Sequence, residues 1–164
     1  MHAHGLALAA VLWLPMLCVG SRRALAASAR RGWRGSKRLS AGWEALERRS
    51  RLVLALLLVD ATVHLALIPD HARDGVTGLL FAADSVVLLA LIVAAVAGLD
   101  GWRPLAYLVV TGEVAAYAFY VTSGREALDF TGIATKAVEL TAMAMLATEW
   151  SRSRHQRAAH AGLR

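Results

Sequence analysis

Four long apolar blocks govern what this chain can become: Leu52–Ile68, Val76–Leu99, Pro104–Thr122 and Leu128–Thr148. A helix needs about 20 such residues to cross a hydrocarbon core of roughly 30 Å. In lipid the backbone must satisfy its own N–H and C=O groups, so each block crosses as a helix. Alanine and leucine dominate the blocks, and both are strong helix formers. The expected fold is all-α, an integral membrane bundle of four main transmembrane helices occupying residues 52–150.

A shorter apolar segment, Gly5–Val19, precedes them within residues 1–20. It contains Pro15 and is short for a span, so it reads as a short or tilted N-terminal hydrophobic helix. A helix lying along the membrane is the alternative. A cleaved signal peptide fits less well, because no Lys or Arg precedes the apolar run and no small-x-small cleavage site ends it. Cys18 is the single cysteine of the chain, so there is no internal disulfide and no cysteine zinc cluster.

Charge orients the bundle. Fourteen of the eighteen Lys and Arg residues fall outside the main spans and their short loops, ten in the linker 21–51 and four in the tail 151–164. The positive-inside rule puts the linker, the Arg103 loop and the tail in the cytoplasm. The loops "PDHARDG" and "SGREA" balance arginine with acids and face outside. With five spans the N-terminus is outside and the C-terminus cytoplasmic, in a cell (plasma) membrane. The basic linker is read as a partner of anionic lipid, with Trp33 and Trp43 as interface anchors and part of Arg23–Arg49 helical on the inner leaflet. Nucleic acid is the weaker reading of the same charges.

Each main helix also carries ionisable residues where lipid tails would lie. They are Asp60, Asp84, Glu113 and Lys136, with His64 and Glu139 nearby. Counting about 1.5 Å per residue from the outer helix ends puts the first four at roughly 12–14 Å depth, His64 at about 7–8 Å and Glu139 at about 16 Å. Asp60, His64 and Leu67 share one helical stripe, which His71 extends if the helix continues past Pro69. Glu113, Tyr117 and Tyr120 form a second stripe, Gly132, Lys136, Glu139 and Met143 a third, and Thr77, Asp84 and Leu91 a fourth. Charges at mid-membrane cost a few kcal/mol or more, so these groups turn inward and pair. Four carboxyls and one ammonium carry too much negative charge for a dry site. Protons, an entering cation or water must make up the difference. Lys136 is expected to pair with Asp84, Glu113 or Asp60, with Glu139 on its own helix as a further candidate.

The sequence has no "HExxH", no "GxSxG" and no P-loop glycine pattern, so an enzyme is unsupported. His64 is the one deep histidine, which disfavours a bis-histidine haem. His64 and His71 with Asp70 form a weak candidate for a divalent transition metal near the outer face, where "MHAH" adds two further histidines.

The segments "HLALIPDHARDGVTGLLFAADSVVLLALIV" and "YVTSGREALDFTGIATKAVELTAMAML" resemble a family of small four-helix integral membrane proteins of actinobacteria. His64, Pro69, His71, Gly78, Phe81 and Glu139 match its pattern of a His, a Pro and a second His at the end of the first helix, a Gly–x–x–Phe helix start and an acid on the last helix. The resemblance spans about the last two-thirds of the chain. It implies the four-helix fold and carries no activity. The longer outer loop usual before the last helix is cut down here to "SGREA".

The leading functional expectation is an ion-, proton- or metal-handling membrane protein with its site in the layer of Asp60, His64, Asp84, Glu113, Lys136 and Glu139. The alternative is an accessory or scaffold subunit whose polar layer only fixes helix packing, as a homo-oligomer or with a membrane partner.

Overall fold

The computed structural model describes residues 34–71, 75–125 and 128–161, without the side chains of Arg34, Ser36 and residues 149–161. The N-terminal hydrophobic helix, Trp33, the histidines of "MHAH" and the arginines before Arg34 lie outside the described residues. Five helices make up the rest: α1 (Arg34–Ala45), α2 (Arg48–His71), α3 (Gly75–Val96), α4 (Trp102–Thr122) and α5 (Phe130–Ala161). No strand occurs among the described residues. α2 to α5 form an antiparallel bundle in which each helix packs on the next and α5 closes back on α2.

Local chemistry sets the helix ends. α3 and α4 both finish on a left-handed glycine, Gly98 (φ 73°) and Gly124 (φ 70°). After each, an N–H reaches back five residues, Leu99 to the Ala94 carbonyl at 2.9 Å and Arg125 to the Tyr120 carbonyl at 3.0 Å. A β-carbon is strained at such a φ, and glycine is the residue that ends a helix this way. The block expected to run to Leu99 therefore stops at Val96. α5 opens on Asp129, whose carboxylate accepts the Gly132 N–H at 2.7 Å and so serves as its N-cap. α2 continues through Pro69 to His71. The proline sits in the last turn, where its missing N–H forfeits a single bond.

The four long helices are apolar enough to span a membrane, over Arg48–Leu67, Gly75–Val96, Trp102–Thr122 and Phe130–Thr148. They are also inside out by the standard of a soluble domain. Leu79 is 70% exposed, and Leu80, Val86, Leu105, Leu108 and Ile133 are exposed as well. Contiguous apolar surface of that kind needs lipid or protein against it. The chain is a small multi-pass membrane protein.

The apolar core lies toward one end, where Leu54, Leu57, Leu88, Leu91, Val110 and Leu146 pack together. This is also the basic end, where Arg48, Arg49 and Arg51 open α2 and Arg103 opens α4. Arg103 donates to the buried Ser50 hydroxyl at 3.0 Å and stacks on Trp102. α1 covers this end and is set off from α2 by a break at Leu46 and Glu47. Its Leu39 and Trp43 pack against the core, while Lys37, Arg38 and Glu44 stay exposed. Gly42 lets the backbones of α1 and α3 meet, since a β-carbon there would run into the Val96 carbonyl.

Candidate functional site: a buried carboxyl–histidine cluster

Past the apolar core, toward the far end, the same helices turn polar. α2 presents Asp60 and His64 one turn apart, both buried, with Asp60 1% exposed. α3 contributes Asp84, α4 contributes Glu113, and both are half-buried. α5 contributes Glu139, which is 0% exposed, and the half-buried Lys136. All six residues expected in the layer are therefore in one place.

His64 is the hub. One carboxylate oxygen each from Asp60 and Glu139 lies within 4.8 Å of a His64 ring nitrogen and of the other, and the same holds for Asp84 and Glu113. His64 Nδ1 is 2.5 Å from Asp84 Oδ2 and 3.8 Å from Asp60 Oδ1. The closer contact is an ion pair by distance, but the ring N–H is not aligned on the oxygen as a hydrogen bond requires. The Asp60–His64 pairing suggested by helical spacing is thus the looser of the two. The imidazole favours the neighbouring helix. Depth counting spread His64 and Glu139 over about half of one leaflet. Side-chain reach closes that gap, because imidazole and glutamate both extend well away from their own backbone level.

Lys136 pairs with Glu139 Oε1, and its Nζ also lies 3.4 Å from the Glu113 carbonyl. The further candidate on its own helix is the partner, ahead of the carboxyls across the bundle. The Tyr117 ring lies against the same ammonium. It stands 5.2 Å from Nζ on the α4 side and, with the Glu113 carbonyl, holds the ammonium at the α4–α5 seam, where the Glu139 carboxylate also reaches it. Gly132 makes room for that ring, since a β-carbon there would strike it.

His71 and Asp70 do not join the cluster. His71 turns its Nδ1 to the Leu67 carbonyl at 3.0 Å, and Asp70 is exposed. A bridge of rings connects the two histidines instead. Phe81 stacks on His64 at 5.3 Å and receives the edge of His71 at 4.9 Å. Ser85 was not singled out by the sequence. It is fully buried, and its hydroxyl hydrogen-bonds to the Phe81 carbonyl at 2.8 Å and across to the Ala61 carbonyl at 3.2 Å, tying α3 to α2 beside the cluster. Its place next to Asp84 was the available signal.

The cluster is short of donors. Among the described residues, both oxygens of Asp60, both of Glu113 and Oε2 of Glu139 have no hydrogen-bond partner. Glu113 faces the carboxyls of both Asp60 and Asp84. Acceptors facing acceptors are bonded only when a proton or a cation lies between them. A shallow open groove of about 510 Å³ lies elsewhere, at the basic end between α2 and α5, and is lined by Arg49, Leu140, Thr141, Ala144, Met145 and Thr148. It is largely apolar and holds no carboxyl.

No family model, no curated protein and no solved structure matches the chain.

Proposed function

We propose that this protein is a cation-handling membrane protein whose site is the cluster of Asp60, His64, Asp84, Glu113, Glu139 and Lys136. The observation that carries the reading is Asp60. Its carboxyl is 1% exposed and neither oxygen has a donor. Three more carboxyls and a single ammonium surround it. With all four acids ionised and His64 neutral, the group has a net charge of −3 at the depth of lipid tails. Charge of that size inside a membrane-spanning bundle is costly and marks ion or proton sites. A helix-packing role needs polar groups that satisfy one another, and here several carboxylate oxygens have no partner.

Access runs from the far end. The basic half of the bundle is filled by Leu54, Leu57, Leu88 and Val110, which leave the cluster no polar route toward α1. The positive-inside rule makes the basic end cytoplasmic, so cations reach the cluster from outside. In a Cys18→Ser background, a cysteine at Ser40 should resist an impermeant thiol reagent on intact cells, and one at Ser123 should react. The reverse pattern inverts the topology.

The decisive experiment is reconstitution into vesicles loaded with a pH-sensitive or a divalent-cation-sensitive dye, alongside equilibrium cation binding in detergent. Uptake or saturable binding that Asp60→Asn removes, with folding intact, supports the reading. Absence of both, with Asp60→Asn altering only helix association, supports the scaffold alternative.

A further inference from the structure

Resting on the cation reading above, we infer that the cluster takes one divalent transition-metal ion, bound by His64, Asp60 and Glu139, with Asp84 and Glu113 as the outer pair. Nitrogen is what separates this class from the others. Calcium and magnesium take shells of oxygen, whereas an imidazole combined with carboxylates suits zinc, manganese, iron(II) or cobalt(II). His64 is the one nitrogen donor of the cluster that can coordinate, because Lys136 is a protonated amine tied to Glu139.

Both trios meet the same spacing, and burial favours the inner one: Asp60, His64 and Glu139 are all buried, whereas Asp84 and Glu113 are half-buried. Ligand atoms on one such tetrahedral ion, bound at about 2.0–2.2 Å, sit roughly 3.3–3.6 Å from one another. The three donor atoms of Asp60, His64 and Glu139 already lie within 4.8 Å. Closing each pair by at most about 1.2–1.5 Å, shared between two side chains, brings them onto one ion. All three residues are buried, and both oxygens of Asp60 and Oε2 of Glu139 have no hydrogen-bond partner among the described residues. Asp84 lies against His64 Nδ1, which leaves Nε2 as the ligating nitrogen; with the ring N–H turned onto it, Asp84 would be the carboxylate that stands behind a metal-binding histidine.

Charge closes on the same answer. The ion cancels the carboxylates of Asp60 and Glu139. The remaining carboxyls of Asp84 and Glu113 are balanced by the Lys136 ammonium and one proton held between them. One divalent ion and one proton thus neutralise a group that would otherwise have to take up three protons.

The test uses the full-length, untagged protein with His2 and His4 replaced by alanine, purified in detergent and stripped by a chelator. Cobalt(II) is titrated and followed by its visible absorption bands, then displaced by zinc(II), with calcium and magnesium as competitors. One cobalt per chain is expected, displaced by zinc and not by calcium or magnesium. His64→Ala should weaken binding by at least about 100-fold, the upper range for losing even an outer partner of a metal ligand. Asp60→Asn should act in the same direction, and Glu139→Gln should cost at least about 10-fold. His71→Ala should bind as the parent does. His64→Gln replaces His64→Ala if the alanine variant does not elute as a folded monodisperse species. No saturable cobalt binding, binding indifferent to His64, or binding lost in His71→Ala overturns the inference. Proton uptake that Asp60→Asn abolishes without any cobalt binding would sink the metal site and leave the cation reading standing. Neither uptake nor binding removes both.

Discussion

Leu57 and Asp60 lie less than one turn apart on α2, are equally buried, and belong to halves of the bundle built by opposite means. On the basic side, Leu57 meets Leu54, Leu88, Leu91, Val110 and Leu146 in an apolar core. On the far side, Asp60 meets His64, Glu113 and Glu139. In a bilayer the apolar half gains nothing from leaving water, because lipid is as oily as leucine. Close packing holds it together. The polar half is not fully satisfied by the described residues, and under the proposed function cations make up the difference. Stability and chemistry therefore occupy different lengths of the same four helices.

The comparison breaks most visibly if the two halves are exchanged in kind. Leu57→Ala empties a fully buried position and should cost about 2–5 kcal/mol, as core truncations do. Asp60→Leu removes an unsatisfied carboxyl at similar volume. It should be neutral or stabilising by about 1–4 kcal/mol, as when buried charges are replaced by packed apolar groups. Equilibrium unfolding in mixed micelles measures both, with lipid-facing Leu79→Ala as a control expected within about 0.5 kcal/mol of wild type. If Asp60→Leu proves the more damaging, the polar half is a structural clasp and the division of labour fails.

A smaller effect sharpens the account of the polar half. Lys136→Met leaves Glu139 buried without its ammonium and should cost about 2 kcal/mol, somewhat less than the loss of one partner in a fully buried pair. Adding Glu139→Leu should recover most of that. The double-mutant cycle should give a coupling of about 1–3 kcal/mol. Additive effects would mean that Lys136 takes its stability from water or the Tyr117 ring.

The smallest expected effect lies at the rim. Gly132→Ala gains about 0.5–1 kcal/mol of helix propensity but drives a methyl group into the Tyr117 ring. The net should be a loss of about 1 kcal/mol, typical of overpacking. In a Tyr117→Leu background the same substitution should become stabilising. If its sign does not change, the ring does not depend on Gly132 for space.

Much of this was legible beforehand. The four spans fell within a few residues of their observed limits, and the six ionisable residues of the layer were all brought together. α2 runs on through Pro69 to His71, a continuation the sequence left open. What escaped was detail that depends on two helices at once. Lys136 had three candidate partners by depth and a fourth, Glu139, one turn along its own helix, and it pairs with Glu139. His71 shares a stripe with His64, yet its ring went to Phe81 and the Leu67 carbonyl. Ser85 is an ordinary helix serine until α2 presents it with the Ala61 carbonyl.

The sequence by itself determined that this chain is a bundle of membrane-crossing helices with ionisable residues at a common depth and a strongly basic end. Those properties follow from apolar length, backbone self-satisfaction and residue count, which act within one segment at a time. Tertiary structure decided which carboxyl meets the imidazole, which one holds the ammonium, and that the apolar core closes the basic side of the cluster. Such choices depend on the rotation and tilt of each helix against its neighbours, and packing sets those only when all four are in place.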